Sequence, residues 1–456
     1  MRTYVIENFG CRATQADAAA IEAQLGASGF ERVEAASRAD VVVLNTCTVT
    51  AAADAQAREA IRRVHRENPA ARILATGCYA QRAPEELAEL AGVRWVVGNS
   101  HQKRIGVLVA GALGSESFVS LGALAAPQHM TLENSPKILT GDILEADEVL
   151  VAPATGSAGR TRPVLKIQDG CNNRCSYCVI PFVRGRSRSL APERVAEEVR
   201  TLVAGGAREI VLSGINLGAY GRDLLPRVEL RDLLARLVEE TPVERLRLSS
   251  IEPMDLTLDL VELVAGAGGR IAPHFHVPLQ SGSDRMLAAM HRWYRAAHYA
   301  ERILLAAERL PSASIGADVI CGFPGETAED HKRTVEFIEQ LPFSYLHVFS
   351  YSSRPGTSAA NLADGIAPEL IRERARELRA LSEKKAAAFR AAQKGSVRRV
   401  LTLERHGSDA QGRPWTGALT GNYLNVRAAG NWPRNTWLQV RLSMDERSLA
   451  GHTIDS

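Results

Sequence analysis

The sequence predicts an α/β protein in three parts: an open parallel sheet, an incomplete barrel of parallel strands and a small antiparallel barrel. Short apolar runs alternate with helical segments in two stretches, before residue 98 and again after residue 163. From residue 397 onward the pattern changes to turn residues and short β-prone runs. These changes of pattern define the expected domains.

The N-terminal stretch has the pattern of a parallel sheet with helices on its faces. The predicted strands are 3–6, 41–45, 72–76 and 94–97, and the predicted helices are 17–26, 54–66 and 84–91. We therefore expect a Rossmann-like domain at residues 1–105. Residues 106–160 are rich in Gly, Ser, Ala and Pro, and we interpret them as a connection between domains.

The central stretch repeats the alternation six times. The predicted strands are 164–168, 209–213, 245–250, 274–277, 314–320 and 345–349. Such a run of βα units predicts a partial TIM-type barrel over residues 161–392, with functional groups at the carboxyl ends of the strands. A long charged helix at 368–393 ends this domain, and residues 393–456 are expected to form the small β-barrel.

Composition excludes several classes of protein. The 456 residues are 45% hydrophobic and 23% charged, as in ordinary globular proteins, and a net charge of +3 does not by itself indicate nucleic-acid binding. The N-terminus lacks a signal-peptide pattern, and no apolar run approaches about 18 residues, so we expect a cytoplasmic protein without a membrane contact. In that compartment the seven cysteines are expected to be metal ligands or catalytic groups rather than disulfides.

Three cysteines directly follow the first barrel strand. Cys171, Cys175 and Cys178 have C-x3-C-x2-C spacing in DGCNNRCSYCVIP. Three thiolates can bind three irons of a cubane cluster and leave the fourth iron open. A zinc site or a set of buried thiols is the alternative, but no nearby Cys or His completes a four-ligand zinc set. The spacing resembles the radical S-adenosylmethionine superfamily, which implies a [4Fe–4S] cluster that cleaves this cofactor.

The ends of the other barrel strands carry residues suited to a bound cofactor. Glycine allows close approach of the backbone, and a carboxylate suits ribose hydroxyls or an amino group. A reading as ordinary turn and cap residues stays open. The expected S-adenosylmethionine contacts are Tyr177, Ser213, Gly214, Asn216, Glu252, Pro278, Gln280 and Asp318.

Three further cysteines follow the predicted N-terminal strands. Cys11 stands in NFGCRATQ, Cys47 in LNTCTVT and Cys78 in ATGCYAQ. In a parallel sheet all three fall at the carboxyl edge, where ligands of open α/β sheets bind. This placement favours a second metal site over three inert thiols.

The motifs together resemble one family. GC followed by Gln15, LNTCTVT, TGCYAQ, the central triplet with IPFVRGRSRS, and GFPGET are similar to the methylthiotransferase family of radical S-adenosylmethionine enzymes. The resemblance spans nearly the whole chain. It implies that Cys11, Cys47 and Cys78 bind an auxiliary [4Fe–4S] cluster whose open iron presents sulfur. It therefore implies an enzyme with two clusters and S-adenosylmethionine.

Members of this family modify adenosine 37 of tRNA or an aspartate of a ribosomal protein. Arg174, Arg184, Arg186 and Arg188 surround the central triplet, and planar guanidinium groups there could bind phosphate oxygens. A solvated basic turn is the alternative. The arginines therefore favour RNA as the substrate.

The C-terminal tail indicates the same partner. From residue 397 it has eight arginines, five acidic residues and no lysine, and it contains Trp415 and Tyr423, whose faces could stack on unpaired bases. The alternative is that these aromatic rings fill a small barrel. The segment resembles the TRAM domain, with TGNYLNV as its characteristic strand.

The motifs VIPFVRGRSRS and LNTCTVT resemble the branch that methylthiolates C2 of N6-threonylcarbamoyladenosine 37 of tRNA. Isopentenyladenosine 37 and a ribosomal-protein aspartate are the alternative substrates. A noncatalytic iron–sulfur sensor that binds RNA is the alternative from another class. The resemblance also implies an electron donor such as flavodoxin or ferredoxin, and we expect a monomer.

Overall fold

The computed structural model describes residues 2–113, 136–151, 161–445 and 448–454. Its first domain is a six-stranded parallel sheet with the order β2-β1-β3-β4-β5-β6. This sheet confirms the predicted open parallel architecture. The strands are β1 (Arg2–Asn8), β2 (Phe30–Arg32), β3 (Val41–Thr46), β4 (Arg72–Gly77), β5 (Val93–Gly98) and β6 (Lys137–Leu139).

Helices cover both faces of this sheet. Alternate residues of β3 enter two separate hydrophobic cores: Val42 and Leu44 pack on one face, Val41 and Val43 on the other. The central strands of the sheet are therefore buried on both faces, as expected for parallel strands between helical layers. The helices are α1 (Arg12–Ala27), α2 (Ala51–Glu67), α3 (Cys78–Arg82), α4 (Pro84–Ala88) and α5 (Ile105–Leu113).

The interpretation of residues 106–160 as a plain connection needs a correction. Helix α5 packs against α1 through Ile105 and Val109, and β6 pairs with β5 at the edge of the first sheet. Only three residues of β6 pair, so its pattern was too short to read as a strand. The remainder of the predicted connection, residues 114–135 and 152–160, lies outside the described residues.

The central domain is the predicted partial barrel. Parallel pairing gives β11-β10-β7 and β12-β13-β14, and single bridges from β11 to Ile271 and from Ser250 to β12 join the two groups. Strands β7 and β14 are therefore the two edges of an open barrel. The strands are β7 (Val164–Lys166), β10 (Glu209–Ser213), β11 (Arg245–Leu248), β12 (His274–His276), β13 (Ser314–Cys321) and β14 (Tyr345–Ser350), and a small antiparallel pair, β8 (Gln168–Asp169) and β9 (Arg188–Ser189), follows β7.

One large hydrophobic core lies between these strands and the surrounding helices. Outward residues such as Leu346 on β14 and Leu378 on the long helix belong to it, so the helices are attached by apolar burial. The inward residues are mostly polar, which leaves a polar lumen. The helices are α6 (Ile180–Arg184), α7 (Pro192–Ala204), α8 (Leu230–Glu240), α9 (Leu258–Gly266), α10 (Asp284–Ala289), α11 (Ala296–Arg309), α12 (Ala328–Gln340) and α13 (Pro368–Ala392).

The C-terminal part is a closed five-stranded barrel with the order β15-β16-β17-β19-β18. It docks on the central barrel, where Arg247 Nη1 donates to the Gly421 oxygen at 2.9 Å. Within the described residues, no helix is both long and apolar enough to cross a membrane. The strands are β15 (Val397–Ser408), β16 (Pro414–Thr420), β17 (Asn425–Ala429), β18 (Trp437–Asp445) and β19 (Ser448–Thr453).

Candidate iron–sulfur and cofactor site

The N-terminal cysteines lie at the ends of three adjacent parallel strands. Cys11 follows β1 and is the N-cap residue of α1, Cys47 follows β3, and Cys78 follows β4 as the first residue of α3. Strands β1, β3 and β4 are neighbours in the sheet. The topology thus brings together three thiols that the sequence separates by 36 and 31 positions.

Two glycines allow these loops to approach one another. Gly10 has φ +122°, and a Cβ there would lie 2.8 Å from the Cβ of Cys47. Gly77 has φ +97°, and a Cβ there would collide with the backbone of Thr46. Only glycine meets both requirements, a positive φ and no side chain. The residue before Cys11 and the residue before Cys78 are therefore fixed by the geometry of the site.

The buried thiols of this triad require a positive partner before they can ionise. The pKa of Cys47 is raised to about 12, mainly by burial and secondly by the nearby thiol of Cys78. Burial also raises the pKa of Cys78, although Arg184 opposes the shift. A bound metal reverses this balance because it deprotonates a coordinating thiol. Three soft thiolates, without a carboxylate among them, fit the ligand set of an iron–sulfur cluster.

The second triad occupies the loop after β8. Cys171 and Cys175 are half-buried. The pKa of Cys178 is raised to about 12, mainly by burial and secondly by the nearby thiol of Cys175. The backbone N–H of Asn173 donates to Cys171 Sγ at 3.4 Å, and Asn216 Nδ2 lies 3.9 Å from the same sulfur. Such donors stabilise thiolates on a cluster.

Arg292 binds this triad from the end of α10. Its Nη1 donates to Cys175 Sγ at 3.2 Å, and its Nη2 forms an ion pair with Glu252. Burial raises the pKa of Glu252 in spite of this pair. Arg292 therefore connects a cluster ligand to a carboxylate at the end of β11. No sequence motif indicated this residue, which lies more than a hundred positions from the cysteines.

The spacing of both triads argues against zinc. Among the described residues, the one group of three candidate ligands whose atoms all lie within 4.8 Å of one another is His276, Asp318 and His347. In neither cysteine triad do all three sulfur atoms lie within 4.8 Å of one another. Four ligands at about 2.3 Å from a single zinc ion would lie closer together than this limit. A cubane cluster holds its cysteines farther apart, because each binds a different iron.

The two triads adjoin each other across the domain boundary. Val179, next to Cys178, packs against Cys78 in one small apolar cluster. Asn99 Nδ2 donates to the Val183 oxygen at 2.7 Å and lies 3.6 Å from Cys78 Sγ. The segment that follows the second triad is thus part of the wall around the first.

A buried network of charges fixes this arrangement. Arg184 donates to Asp17 Oδ2 at 2.8 Å, to Asp169 Oδ1 at 3.2 Å and to Cys78 Sγ at 3.3 Å. Lys166 forms ion pairs with the same two carboxylates. Burial opposes the charge on Arg184, but Asp17, Cys78 and Asp169 hold the pKa of its guanidinium well above its usual value. The network joins α1, β7, β8 and α6, and therefore joins the loops of both triads.

The predicted cofactor residues lie on the loop of the second triad and at the carboxyl ends of strands β10 to β13. Asn216 N–H donates to Gln168 Oε1 at 2.8 Å beside Ser213 and Gly214, and Tyr177 lies within the triad loop itself. Gln280 has φ +67°, and its N–H donates to the Asp318 oxygen at 2.8 Å, which fixes the turn after Pro278. These positions surround the mouth of the barrel. The Asp318 carboxylate, however, contacts His276 and His347 in the lumen.

The arginine cluster separates into two pairs, which corrects part of the RNA prediction. Arg174 and Arg186 are exposed. Arg184 is 2% exposed and bound in the charge network, and Arg188 donates to the backbone oxygens of Glu148, Arg184 and Arg186. Gly185, with φ +77°, turns Arg184 inward, which the spacing of the sequence did not reveal. Arg184 and Arg188 therefore have structural contacts in place of phosphate contacts.

The predicted aromatic residues of the tail also differ from each other. Trp415 is half-buried on β16 between Arg405 and Arg427, at 5.6 and 5.3 Å from the ring centre. Tyr423 stacks on His274 with 4.4 Å between ring centres, and its contact with RNA stays a prediction. Tyr423 belongs to the contact with the central barrel.

Comparison with known proteins identifies the family. A family model described as the radical SAM superfamily matches residues 165–338, and one described as Uncharacterized protein family UPF0004 matches residues 3–98. A protein of Aquifex aeolicus named threonylcarbamoyladenosine tRNA methylthiotransferase MtaB is 37% identical over 424 residues, which is 93% of this chain and 96% of that protein. The chain belongs to the methylthiotransferase family. It is a radical S-adenosylmethionine enzyme whose cofactors are [4Fe–4S] clusters and S-adenosylmethionine.

Other relatives represent two branches of the methylthiotransferase family. A Bacillus subtilis protein with the same name as the Aquifex protein is 36% identical, covering 93% of this chain and 90% of that protein. A Syntrophobacter fumaroxidans protein named tRNA-2-methylthio-N(6)-dimethylallyladenosine synthase is 34% identical, covering 88% and 84%.

A solved structure supports the fold. The radical S-adenosylmethionine methyltransferase TsrM of Kitasatospora setae aligns with a TM-score of 0.55 at 17% identity, over 79% of this chain and 77% of that chain. At this identity the similarity concerns the fold alone.

Proposed function

We propose that this methylthiotransferase acts on tRNA and replaces the hydrogen at C2 of N6-threonylcarbamoyladenosine 37 with a methylthio group. The product is 2-methylthio-N6-threonylcarbamoyladenosine. The observation that carries the proposal is the pair of adjoining cysteine triads in one chain. The relatives from Aquifex aeolicus and Bacillus subtilis, which are named for this substrate, support the choice of nucleoside.

The two triads divide the work between them. Cys171, Cys175 and Cys178 are the ligands for the cluster that binds S-adenosylmethionine, and Cys11, Cys47 and Cys78 are the ligands for the auxiliary cluster. When bound, these groups supply the radical chemistry at C2, the methyl group and the sulfur. The protein's part is to bring the reacting groups together and to exclude water.

Specific side chains perform that part. Arg292 and Asn216 donate toward the sulfurs of the second triad, and Arg184 donates to Cys78 of the first. These charge-assisted bonds stabilise thiolates in a buried setting. We further propose that Tyr177, Ser213, Gly214, Asn216, Glu252, Pro278, Gln280 and Asp318 line the S-adenosylmethionine site, Asp318 through its backbone, which holds the Gln280 turn.

Two exposed regions are proposed to contact tRNA. Arg174 and Arg186 lie beside the second triad and are available for phosphate oxygens. Trp415, with Arg405 and Arg427 near its ring, offers a stacking surface on the small barrel. We also propose an electron donor such as flavodoxin or ferredoxin, a monomeric state and a cytoplasmic location.

Mass spectrometry of tRNA nucleosides tests the proposal. Reconstituted protein, dithionite, S-adenosylmethionine, sulfide and tRNA that carries threonylcarbamoyladenosine should yield the methylthio product. The same tRNA with isopentenyladenosine, and a ribosomal protein with its aspartate, are the competing substrates. Product on either of these alone would assign the chain to another branch. Release of no 5′-deoxyadenosine under any condition would favour a noncatalytic sensor.

A further inference from the structure

The lumen of the central barrel contains a polar surface that the clusters and S-adenosylmethionine do not explain. On β14, Leu346 and Val348 pack outward against the helices, so His347 and its alternate neighbours face inward. On β12, Phe275 is outward and His276 is inward by the same alternation. Strand β14 is an edge of the open barrel, so its inward face is reachable from the side.

Three of these inward groups form one cluster. Asp318 Oδ1 lies 3.1 Å from His276 Nε2 and 3.2 Å from His347 Nδ1, and His276 Nδ1 lies 2.7 Å from Ser250 Oγ. The side chain of His347 is 55% exposed, whereas His276 is 10% exposed. Burial would raise the pKa of Asp318, but its two histidine partners hold it at about 2. Asp318 is thus an ionised group that orients His347 toward the open side.

Arg12 brings a positive charge to the same lumen from the N-terminal domain. Its Nη2 lies 3.3 Å from the Tyr423 hydroxyl and its Nη1 3.5 Å from the Leu248 oxygen, and both of these acceptors are neutral. Among the residues that the structure describes, Arg12 has no carboxylate partner. Arg12 lies 5.8 Å from the centre of the Tyr423 ring, which is 6.3 Å from that of Tyr345, and the Tyr345 ring is 5.2 Å from that of His347. Arg12 and His347 therefore border the same aromatic part of the lumen.

Arg12 links this region to the first triad. Arg12 directly follows Cys11, a ligand of the auxiliary cluster, and His347 lies on the strand that ends beside the barrel mouth. A base placed between the two triads would direct its substituent at or near these groups. A half-buried arginine without an anion is costly, and a carboxylate on the substrate would complete it.

The two branches of relatives differ in the chemistry of that substituent. A threonylcarbamoyl group carries a carboxylate and a hydroxyl, whereas a dimethylallyl group is apolar. An apolar substituent would remove water from Arg12 and His347 without replacing the lost hydrogen bonds. A site whose polar groups would be left unpaired in this way discriminates strongly against such a substrate. We propose that Arg12 and His347 bind the carboxylate of the N6-threonylcarbamoyl group and determine which modified adenosine is accepted. Asp318 is a positioning residue for His347, and the assignment rests on the proposed function.

The test compares two forms of one tRNA, with the threonyl carboxylate free or as its methyl ester. For the wild type, esterification should lower kcat/KM about 10- to 100-fold, the effect of losing a charged hydrogen bond. His347→Ala and Arg12→Met should lower kcat/KM on the free acid by a similar factor, mainly through KM. They should also discriminate less between acid and ester. Arg12→Lys keeps the charge and should restore part of the preference.

Controls separate this role from a structural one. His298→Ala changes an exposed histidine on α11 and should keep the wild-type preference. Iron content equal to that of the wild type shows that a variant still binds both clusters. Variants that keep the full preference for the acid would overturn the inference. Stoichiometric zinc or extra iron that His347→Ala removes would also overturn it, because His276, Asp318 and His347 would then form a metal site. If the wild type modifies neither tRNA form, the proposed function itself fails.

Discussion

The buried network around Arg184 gives the sharpest test of how the two domains are joined. Asp17 and Asp169 carry two negative charges, Lys166 and Arg184 contact both of them, and Arg188 lies 3.8 Å from Asp169 as a third cation. The substitution Arg184→Met keeps an apolar chain of similar length but removes the guanidinium partner of both carboxylates, so that Lys166 is left as the one close cation for two buried charges. Breaking a buried pair in this way costs about 3–5 kcal/mol.

Urea denaturation of the reconstituted protein, followed by circular dichroism, measures this cost. A loss of about 3–5 kcal/mol is a large part of the roughly 5–15 kcal/mol that stabilises a typical protein. Arg200→Met is the matched control, because Arg200 and Glu240 are 49% and 42% exposed and their pair contributes about 0–1 kcal/mol. The double variant Asp17→Asn/Arg184→Met should lose less than the sum of its single changes, because it restores the charge balance. If Arg184→Met behaves like Arg200→Met, the reasoning is refuted.

Three further predictions concern the clusters and the RNA. Arg292→Met should reduce the iron bound by the second triad and slow the release of 5′-deoxyadenosine, and Arg292→Lys should restore part of both. Iron content and release rate equal to those of the wild type would exclude a role of Arg292 at the cluster. Arg186→Ala should weaken tRNA binding and reduce the slope of log K against log salt by about 0.7–0.9, a change that is absent if no phosphate is bound. Gly10→Ala should lower auxiliary-cluster iron because its Cβ would lie 2.8 Å from the Cβ of Cys47, and Gly26→Ala, which meets nothing within 4 Å, should not.

The fold followed from the sequence to a large extent. The predicted helix at 368–393 matches α13 (Pro368–Ala392) to within one residue, and all six barrel strands lie where they were expected. These elements have clear apolar periodicity because each packs one side against the hydrophobic core, and that periodicity is the signal from which they were predicted. Strand β2 (Phe30–Arg32) was missed because it is an edge strand with one buried residue, and helix α3 (Cys78–Arg82) was missed because it is a single short turn that begins directly after β4.

The ligand sets were the predictable part of the site, and their surroundings were not. All six cysteines fall at strand ends, as their positions after apolar runs indicated. By contrast, an arginine in a basic segment has the same sequence pattern whether it is exposed or buried. Arg184 is buried because Gly185 turns the chain inward and because Asp17, far away in sequence, supplies its partner. Arg292 and Arg12 were likewise identified only by their contacts.

Iron content after anaerobic reconstitution tests the central claim most directly. The wild-type chain should bind about eight irons, because each triad holds one [4Fe–4S] cluster. Replacing Cys11, Cys47 and Cys78 together with alanine should lower the content to about four, and so should replacing Cys171, Cys175 and Cys178. A wild-type content near four, or a content unchanged by the first set of substitutions, would contradict the assignment of two clusters to one chain.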